Sequence, residues 1–348
     1  MKRLHEILPT FWESIFNKCL LLGCFPAEWK QAKIVVIPKS NKTKAHSVAG
    51  YRGISLLAIP GKCLEKLLVG RLNYFPNLNA QIHPQKYGFT EGRSTVDAIK
   101  VVVEFVHHNK QLGLKSCLVT LDIACAFDNA WHPGILAKLI KINCPPNIFN
   151  LVRDFLNQRK AYLKLGNTTT NKTVNKGCPQ GSVSGPILWN IIISDLINQL
   201  TNIPNLQIVI FADDIMLMIR GKQHSDVLRT LERALEQAND WSTQNKLSIS
   251  KEKSAVMPMF IKKRDEYESH PTIIAWELKV VSKMKYLGVM LDSKLDWFPH
   301  SIYLENKLLG IRNNLVRCSK ATWGISFHKL MSIYNHIRCR SLVYHDIC

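Results

Sequence analysis

The sequence predicts an α+β protein, and three observations carry that expectation. Short runs of strand formers and amphipathic helical stretches are interleaved without the strict alternation that a parallel βαβ sheet requires. Two of the apolar runs, LVTLDIACAF and IVIFADDIMLMIR, read as buried strands yet carry acids: Asp122 in the first, Asp213 and Asp214 in the second. Hydrophobic residues make up 46% of the 348, enough for two or three domain-sized units, each with a core.

The elements follow in chain order. The opening MKRLHEILPTFWESIFNKCLLLG has the basic start of a signal peptide, but Glu6, Glu13, Asn17 and Lys18 interrupt every apolar core, so an amphipathic helix ending at Gly23 is expected. AKIVVIPK reads as a strand running into a basic loop, SNKTKAHSVAGYR, and then a helix, GKCLEKLLVGRL. Ser94 or Thr95 is placed to cap a helix over VDAIKVVVEFVHHNK. SCLVTLDIACAF is a buried strand followed by two helices, the second opening at Pro145 and Pro146, where proline suits a first turn. AYLKL and KTVNKG can pair around GNTTTN, and Pro186 opens the apolar helix ILWNIIISDLINQL. QIVIFA and IMLMI look like the arms of a tight hairpin. Leu228, Leu231, Leu235, Ala238 and Trp241 recur near the helical period, KYLGVMLD reads as a late strand, and about the last 50 residues look helical.

Lys and Arg number 46 against 26 Asp and Glu, a net +20 that suits a polyanionic partner such as nucleic acid or an acidic membrane face, and equally a generally basic surface. There is no run of 18 apolar residues to span a membrane. The ten cysteines contain no CxxC pair and no zinc spacing, which suggests reduced thiols and an intracellular protein. Repeats and low-complexity tracts are absent.

Asp213 and Asp214 admit two readings. Asp is a good turn residue, and the pair sits where a hairpin would turn. Alternatively the pair holds a hard divalent cation, which takes oxygen ligands and needs a further carboxylate from elsewhere. Asp122 is a candidate, although an acid at a strand end is commonly a cap.

Taken in order, FNKCLLLGCFPAEWKQAKIVVIPK, YRGISLLAIPGKCLEKLL, KYGFTEGRSTVDAI, LDIACAFDNAW, KGCPQGSVSGPILWN, FADD, NKLSISKEKSAV and KYLGVMLDSKLDW resemble the reverse transcriptases of non-LTR, LINE-type retrotransposons, most closely those of arthropod elements. The resemblance runs from about Phe16 to the C-terminus. It implies a right-hand polymerase fold with an antiparallel palm sheet: fingers over 1–115 with a return at about 132–160, palm over 116–292, and a partial helical thumb over 293–348. The implied activity is RNA-directed DNA synthesis from an RNA template, a DNA primer end and dNTPs, with two Mg²⁺ ions, for which Mn²⁺ is a possible substitute. Metal binding then falls to Asp122, Asp213 and Asp214, with the Ile123 backbone carbonyl as an extra ligand.

Other roles transfer by matching position. Lys39 and Arg52 match the basic residues that grip the incoming triphosphate, or are ordinary exposed charges. Phe127 matches the aromatic gate that excludes a 2′ hydroxyl, or is a core phenylalanine; Gln180 matches a nucleotide-pocket glutamine. Gly177, Gly181 and Gly185 let the backbone approach substrate or simply make a turn. Lys253 matches a lysine proposed to protonate pyrophosphate, or is a solvated charge, and Tyr286, Leu287 and Gly288 match the primer grip.

Two positions depart from the pattern. Gly53 stands where the family commonly has proline, which is expected to loosen a loop carrying Arg52, and Cys125 replaces a smaller or polar residue. The endonuclease and zinc knuckles of intact elements are not expected in this chain, and its last segment resembles part of the thumb, so a fragment or truncated copy is expected. Two rival readings are a degenerate copy acting at most as an RNA-binding module and a splicing-factor relative that binds intron RNA. The resemblance places the protein in the nucleus and away from membranes.

Overall fold

The computed structural model describes residues 9–38, 50–74, 83–260, 265–317 and 326–342. Helix α1 (Pro9–Leu22) stops at Gly23, whose φ of +63° and whose absent Cβ, which would meet Asn150 Cβ at 2.5 Å, both require glycine. β1 (Gln31–Pro38) pairs antiparallel with β2 (Tyr51–Leu57), which occupies part of the stretch expected to be loop. Most of β2 is exposed and it lies at a sheet edge, so its residues give little alternation to read. Arg52 and Gly53 are therefore strand residues opposite Ile37 and Val36, and Gly53 loosens no loop. Helix α2 (Ile59–Tyr74) follows.

Helix α3 (Thr95–Gln111) opens with a reciprocal cap. The Ser94 hydroxyl accepts the Asp97 N–H at 3.2 Å while the Ser94 N–H donates to Asp97 Oδ2 at 2.8 Å. β3 (Lys115–Asp122) ends on its acid, and α4 (Ala126–Asn129), α5 (His132–Lys141) and α6 (Pro146–Leu156) follow. β4 (Arg159–Leu165) and β5 (Thr168–Val174) form the expected hairpin, turned by Gly166 and Asn167 alone. Helix α7 (Gly185–Thr201) carries its proline in the first turn. β6 (Leu206–Phe211) and β7 (Asp214–Gly221) are the two arms around the acid pair, and α8 (His224–Gln244) follows them.

After β8 (Ala255–Pro258) come two helical turns, α9 (Asp265–Glu268) and α10 (Pro271–Ala275), then β9 (Lys279–Val280). The stretch expected to be one late strand is a hairpin, β10 (Lys283–Tyr286) and β11 (Val289–Asp292). Leu287 and Gly288 turn it with φ of +46° and +91°, the primed-turn geometry that matches strand twist. Helices α11 (Phe298–Arg317) and α12 (Phe327–Leu342) end the described chain. Among the described residues, no helix is long and apolar enough to cross a membrane.

The chain divides into two compact units. The first comprises residues 1–89, 123–202 and 235–249 and holds a four-stranded sheet ordered β2-β1-β4-β5, in which only β1 and β4 run parallel. Its core includes Leu64, Leu68 and Leu72 of α2, Leu151 and Phe155 of α6, and Trp189 of α7. Glu65, 1% exposed, is tolerated there because it accepts both the N–H and the hydroxyl of Ser184, at 2.9 and 2.8 Å.

The second unit comprises 90–122, 203–234 and 250–348, with a five-stranded sheet ordered β6-β7-β3-β8-β9, antiparallel except between β8 and β9. Consecutive residues Cys117 to Val119 and Met216 to Ile219 are fully buried, so both faces of the central strands are covered. That explains why these strands read as continuous apolar runs rather than alternating ones. Each such Leu, Ile or Met contributes about 1.5–3 kcal/mol on burial, and the acids lie at the end of this rigid sheet.

Candidate active site

The second unit brings the acids together at one end of its sheet. Asp122, the last residue of β3, is directly opposite Asp214, the first residue of β7. Ala212 and Asp213 alone turn the hairpin, with Phe211 opposite Asp214 and Ala212 held at φ +59°. A left-handed alanine costs about 1–2 kcal/mol, strain of the kind that clusters at functional turns. The two readings of the pair thus coexist: Asp213 is a turn residue, and the turn presents acids beside a third.

The acids open into a cavity of about 250 Å³ lined by Asp122, Asp214, Lys253, Lys285, Tyr286 and Leu287 among others. The segment bearing Lys253 is pinned to the end of β3. Ser250 N–H donates to the Asp122 carbonyl at 2.7 Å, Asp122 N–H donates to Ser254 Oγ at 3.2 Å, and Lys253 Nζ donates to Asp122 Oδ2 at 2.9 Å. In this state Lys253 neutralises an acid.

Solvent reaches Asp214 from the cavity mouth, yet the protein around its carboxyl pushes its pKa up to about 6, chiefly through burial and then through the charges of Asp213 and Asp122, with Lys253 opposing. Asp214 ionises near 6 when folded and near 3.8 when unfolded, so between those values the folded state binds more protons and stability falls as pH rises. Asp214→Asn should therefore stabilise the chain at neutral pH by roughly 1 kcal/mol, after discounting for solvent reach, and the gain should vanish toward the lower end of that window. Denaturant melts across the pH range check this; a variant less stable than the parent at neutral pH would remove the crowding of carboxylates.

Among the described residues, no group of three or more His, Cys, Asp or Glu is gathered closely enough to hold an ion. The donor chemistry nevertheless fits a hard divalent cation, because the donors are oxygens and the charges of Asp213 and Asp122 add to burial in raising Asp214. Ile123 bridges Ile249 in a non-hydrogen-bonded pair, with Ala124 N–H donating to the Ser248 carbonyl at 2.9 Å, which leaves the Ile123 carbonyl without a partner among the described residues.

The first unit holds a second cavity, of about 350 Å³, lined by Gly53, Ser55, Asp128, Arg159, Lys176 and Gln180 among others. Gln180 Nε2 donates to both carboxylate oxygens of Asp128, at 3.2 and 3.3 Å, and the Gln180 backbone carbonyl accepts the Ser55 N–H at 2.8 Å. Gly177 and Gly181 adopt φ of +91° and +111°, and a Cβ on them would meet Asp128 O at 2.6 Å and Ser55 O at 2.8 Å. The close approach that demands glycine is thus to the chain's own carbonyls; Gly185 has only an ordinary contact at 3.4 Å. Phe127 is half-buried, edge-on to Phe89 at 6.0 Å and tilted against Trp189 at 5.5 Å. Arg52 is exposed on β2, and Lys39 lies outside the described residues.

Residues 37–291 match the family model for reverse transcriptase (RNA-dependent DNA polymerase). The chain belongs to the reverse transcriptase family. Similar curated proteins include a putative 115 kDa protein in the type-1 retrotransposable element R1DM of Drosophila melanogaster, 27% identical over 96% of this chain and 32% of that protein. Another is the RNA-directed DNA polymerase from mobile element jockey of Drosophila funebris, 30% identical over 93% of this chain and 35% of that protein. The chain thus spans about a third of the length of those relatives, which are products of non-LTR arthropod elements as the sequence blocks led one to expect. Among solved structures, apo telomerase from Candida Tropicalis truncated from the C-terminal domain shares the fold, with a TM-score of 0.55 at 13% identity over 83% of this chain and 59% of that one. The fold is the expected α+β right-hand polymerase fold.

Among the cavity residues that sequence reasoning missed are Asp128 and Lys285. Asp128 adjoins Phe127 in the AFD stretch, and an acid beside a candidate site residue was a usable signal. Lys285 likewise adjoins Tyr286, but its position beside the acids depends on the β10–β11 hairpin.

Proposed function

We propose that this chain is an RNA-directed DNA polymerase of a non-LTR retrotransposon, adding dNTPs to a DNA 3′ end along an RNA template. The observation that supports it best is the facing pair Asp122 and Asp214 beside the turn acid Asp213, opening on the cavity bordered by Tyr286 and Leu287. In this reading two Mg²⁺ ions, replaceable by Mn²⁺, are held by Asp122, Asp213, Asp214 and the Ile123 carbonyl. When bound, such cations stabilise charge on the entering and leaving oxygens of phosphoryl transfer. Lys253, paired with Asp122 in this structure, would turn its ammonium to the leaving pyrophosphate when cations are held by the three acids.

The Tyr286–Gly288 turn steadies the primer end. Lys39 and Arg52 hold the triphosphate, Arg52 by a bidentate fork. Gln180, fixed in orientation by Asp128, sits against the nucleotide, and Phe127 lies under its sugar. In this reading residues 1–115 are fingers with a return at about 132–160, 116–292 palm and 293–348 a partial thumb, and the protein acts in the nucleus, where a DNA end is available.

The test uses a heteropolymeric RNA annealed to a DNA primer, with one dNTP supplied at a time. Addition only of the base complementary to the next template position is expected. Retained duplex binding with no addition in either Mg²⁺ or Mn²⁺ would favour the RNA-binding module instead.

A further inference from the structure

The second unit carries another cavity, of about 560 Å³, at the opposite end of the same central strands. Arg220 and Lys222 at the end of β7 and Arg229 and Arg233 on α8 line it together with Leu112, which is exposed, and Leu114. Lys115 at the start of β3 is opposite Gly221, whereas Asp122 at its end is opposite Asp214. Seven residue steps at about 3.3 Å therefore separate this cavity from the acids by about 23 Å.

Lys222, Arg229 and Arg233 are exposed and Arg220 is half-buried. None of the four forms an ion pair with a described residue. Asp226, which also lines the cavity, accepts the Gln223 N–H at 3.1 Å at the start of α8 and pairs with no cation among the described residues. Arg229 and Arg233 stand four residues apart on one helix face, where like charges repel, and Asp226, Glu232 and Glu236 at three-residue spacing offset only part of that repulsion. An anion between them and the β7 end would relieve it.

We propose that this cavity binds a stretch of RNA that is not being copied, gripping its phosphates with the four cations while sugars and bases lie against Leu112 and Leu114. This partner rests on the polymerase reading, since a chain of net +20 that copies RNA meets RNA beyond its template–primer duplex. Three of the four cations are arginines, whose planar forks suit phosphate oxygens, and the distance from the acids prevents the same few nucleotides from occupying both places.

The test measures binding of a short unstructured fluorescent RNA to the chain already saturated with a primer–template duplex, in EDTA, across a salt series. Charge reversal of both exposed arginines, Arg229→Glu with Arg233→Glu, should weaken this second binding roughly tenfold or more and lower its salt slope by about 1.4, two single-strand contacts at about 0.7 each. Arg229→Lys with Arg233→Lys should keep the slope, and both variants should melt like the parent and extend primers at the parent's single-addition rate. Unchanged second-RNA affinity in the reversal variant would overturn the site, as would displacement of the RNA by polyglutamate of equal charge at lower concentration, which would point to an acidic protein partner. Absence of primer extension in the parent would sink the polymerase reading alone, since the binding measurement needs no catalysis.

Discussion

Asp213→Asn is expected to lower deoxynucleotide addition by about a thousandfold while leaving affinity for an RNA–DNA duplex within about twofold. Removing one anionic ligand from a divalent site forfeits several kcal/mol of charge stabilisation in the transition state, and each 1.36 kcal/mol is a factor of ten in rate. Duplex affinity comes mainly from cations on phosphates, and Asp213 contributes none. Asn keeps the shape of a turn residue, so the β6–β7 hairpin, anchored by its buried arms, should survive. Quantitative single-turnover extension checks the rate, and activity above a few per cent of the parent's would return Asp213 to a purely structural turn.

The second large effect is on sugar selection. If the exposed part of Phe127 lies under the nucleotide sugar, Phe127→Val should raise ribonucleotide incorporation relative to deoxynucleotide by about ten- to a hundredfold, because the ring excludes the 2′ hydroxyl by contact alone. The same substitution also removes ring contacts with Phe89 and Trp189, so it should cost stability too. The two consequences separate in measurement: competition between rNTP and dNTP reads the gate, and a denaturant melt reads the core. Lower stability with unchanged discrimination would make Phe127 a core residue only.

Much of the second unit was legible because its acids interrupt apolar strands. Asp122, Asp213 and Asp214 stood out since a carboxylate within such a run needs a reason, and strand pairing puts Asp122 opposite Asp214. The start of α3 was equally readable, since capping by Ser94 and Asp97 is local chemistry. β2 was not, because an exposed edge strand has no buried face to impose a period. Neither was the β10–β11 turn, where a leucine takes a left-handed position that sequence assigns to glycine or asparagine. Lys253 on Asp122, 131 residues away, and Gln180 on Asp128, 52 residues away, are contacts that no local spacing encodes.

The most direct measurement is single-nucleotide addition in a preformed complex of this chain with a DNA primer on an RNA template, comparing the parent with a variant carrying Asp122→Asn, Asp213→Asn and Asp214→Asn together. The parent should add the complementary dNMP in Mg²⁺ and the variant none, at equal duplex affinity. Equal addition by both, or addition by neither while both hold the duplex, would contradict the assignment of polymerase chemistry to these three acids.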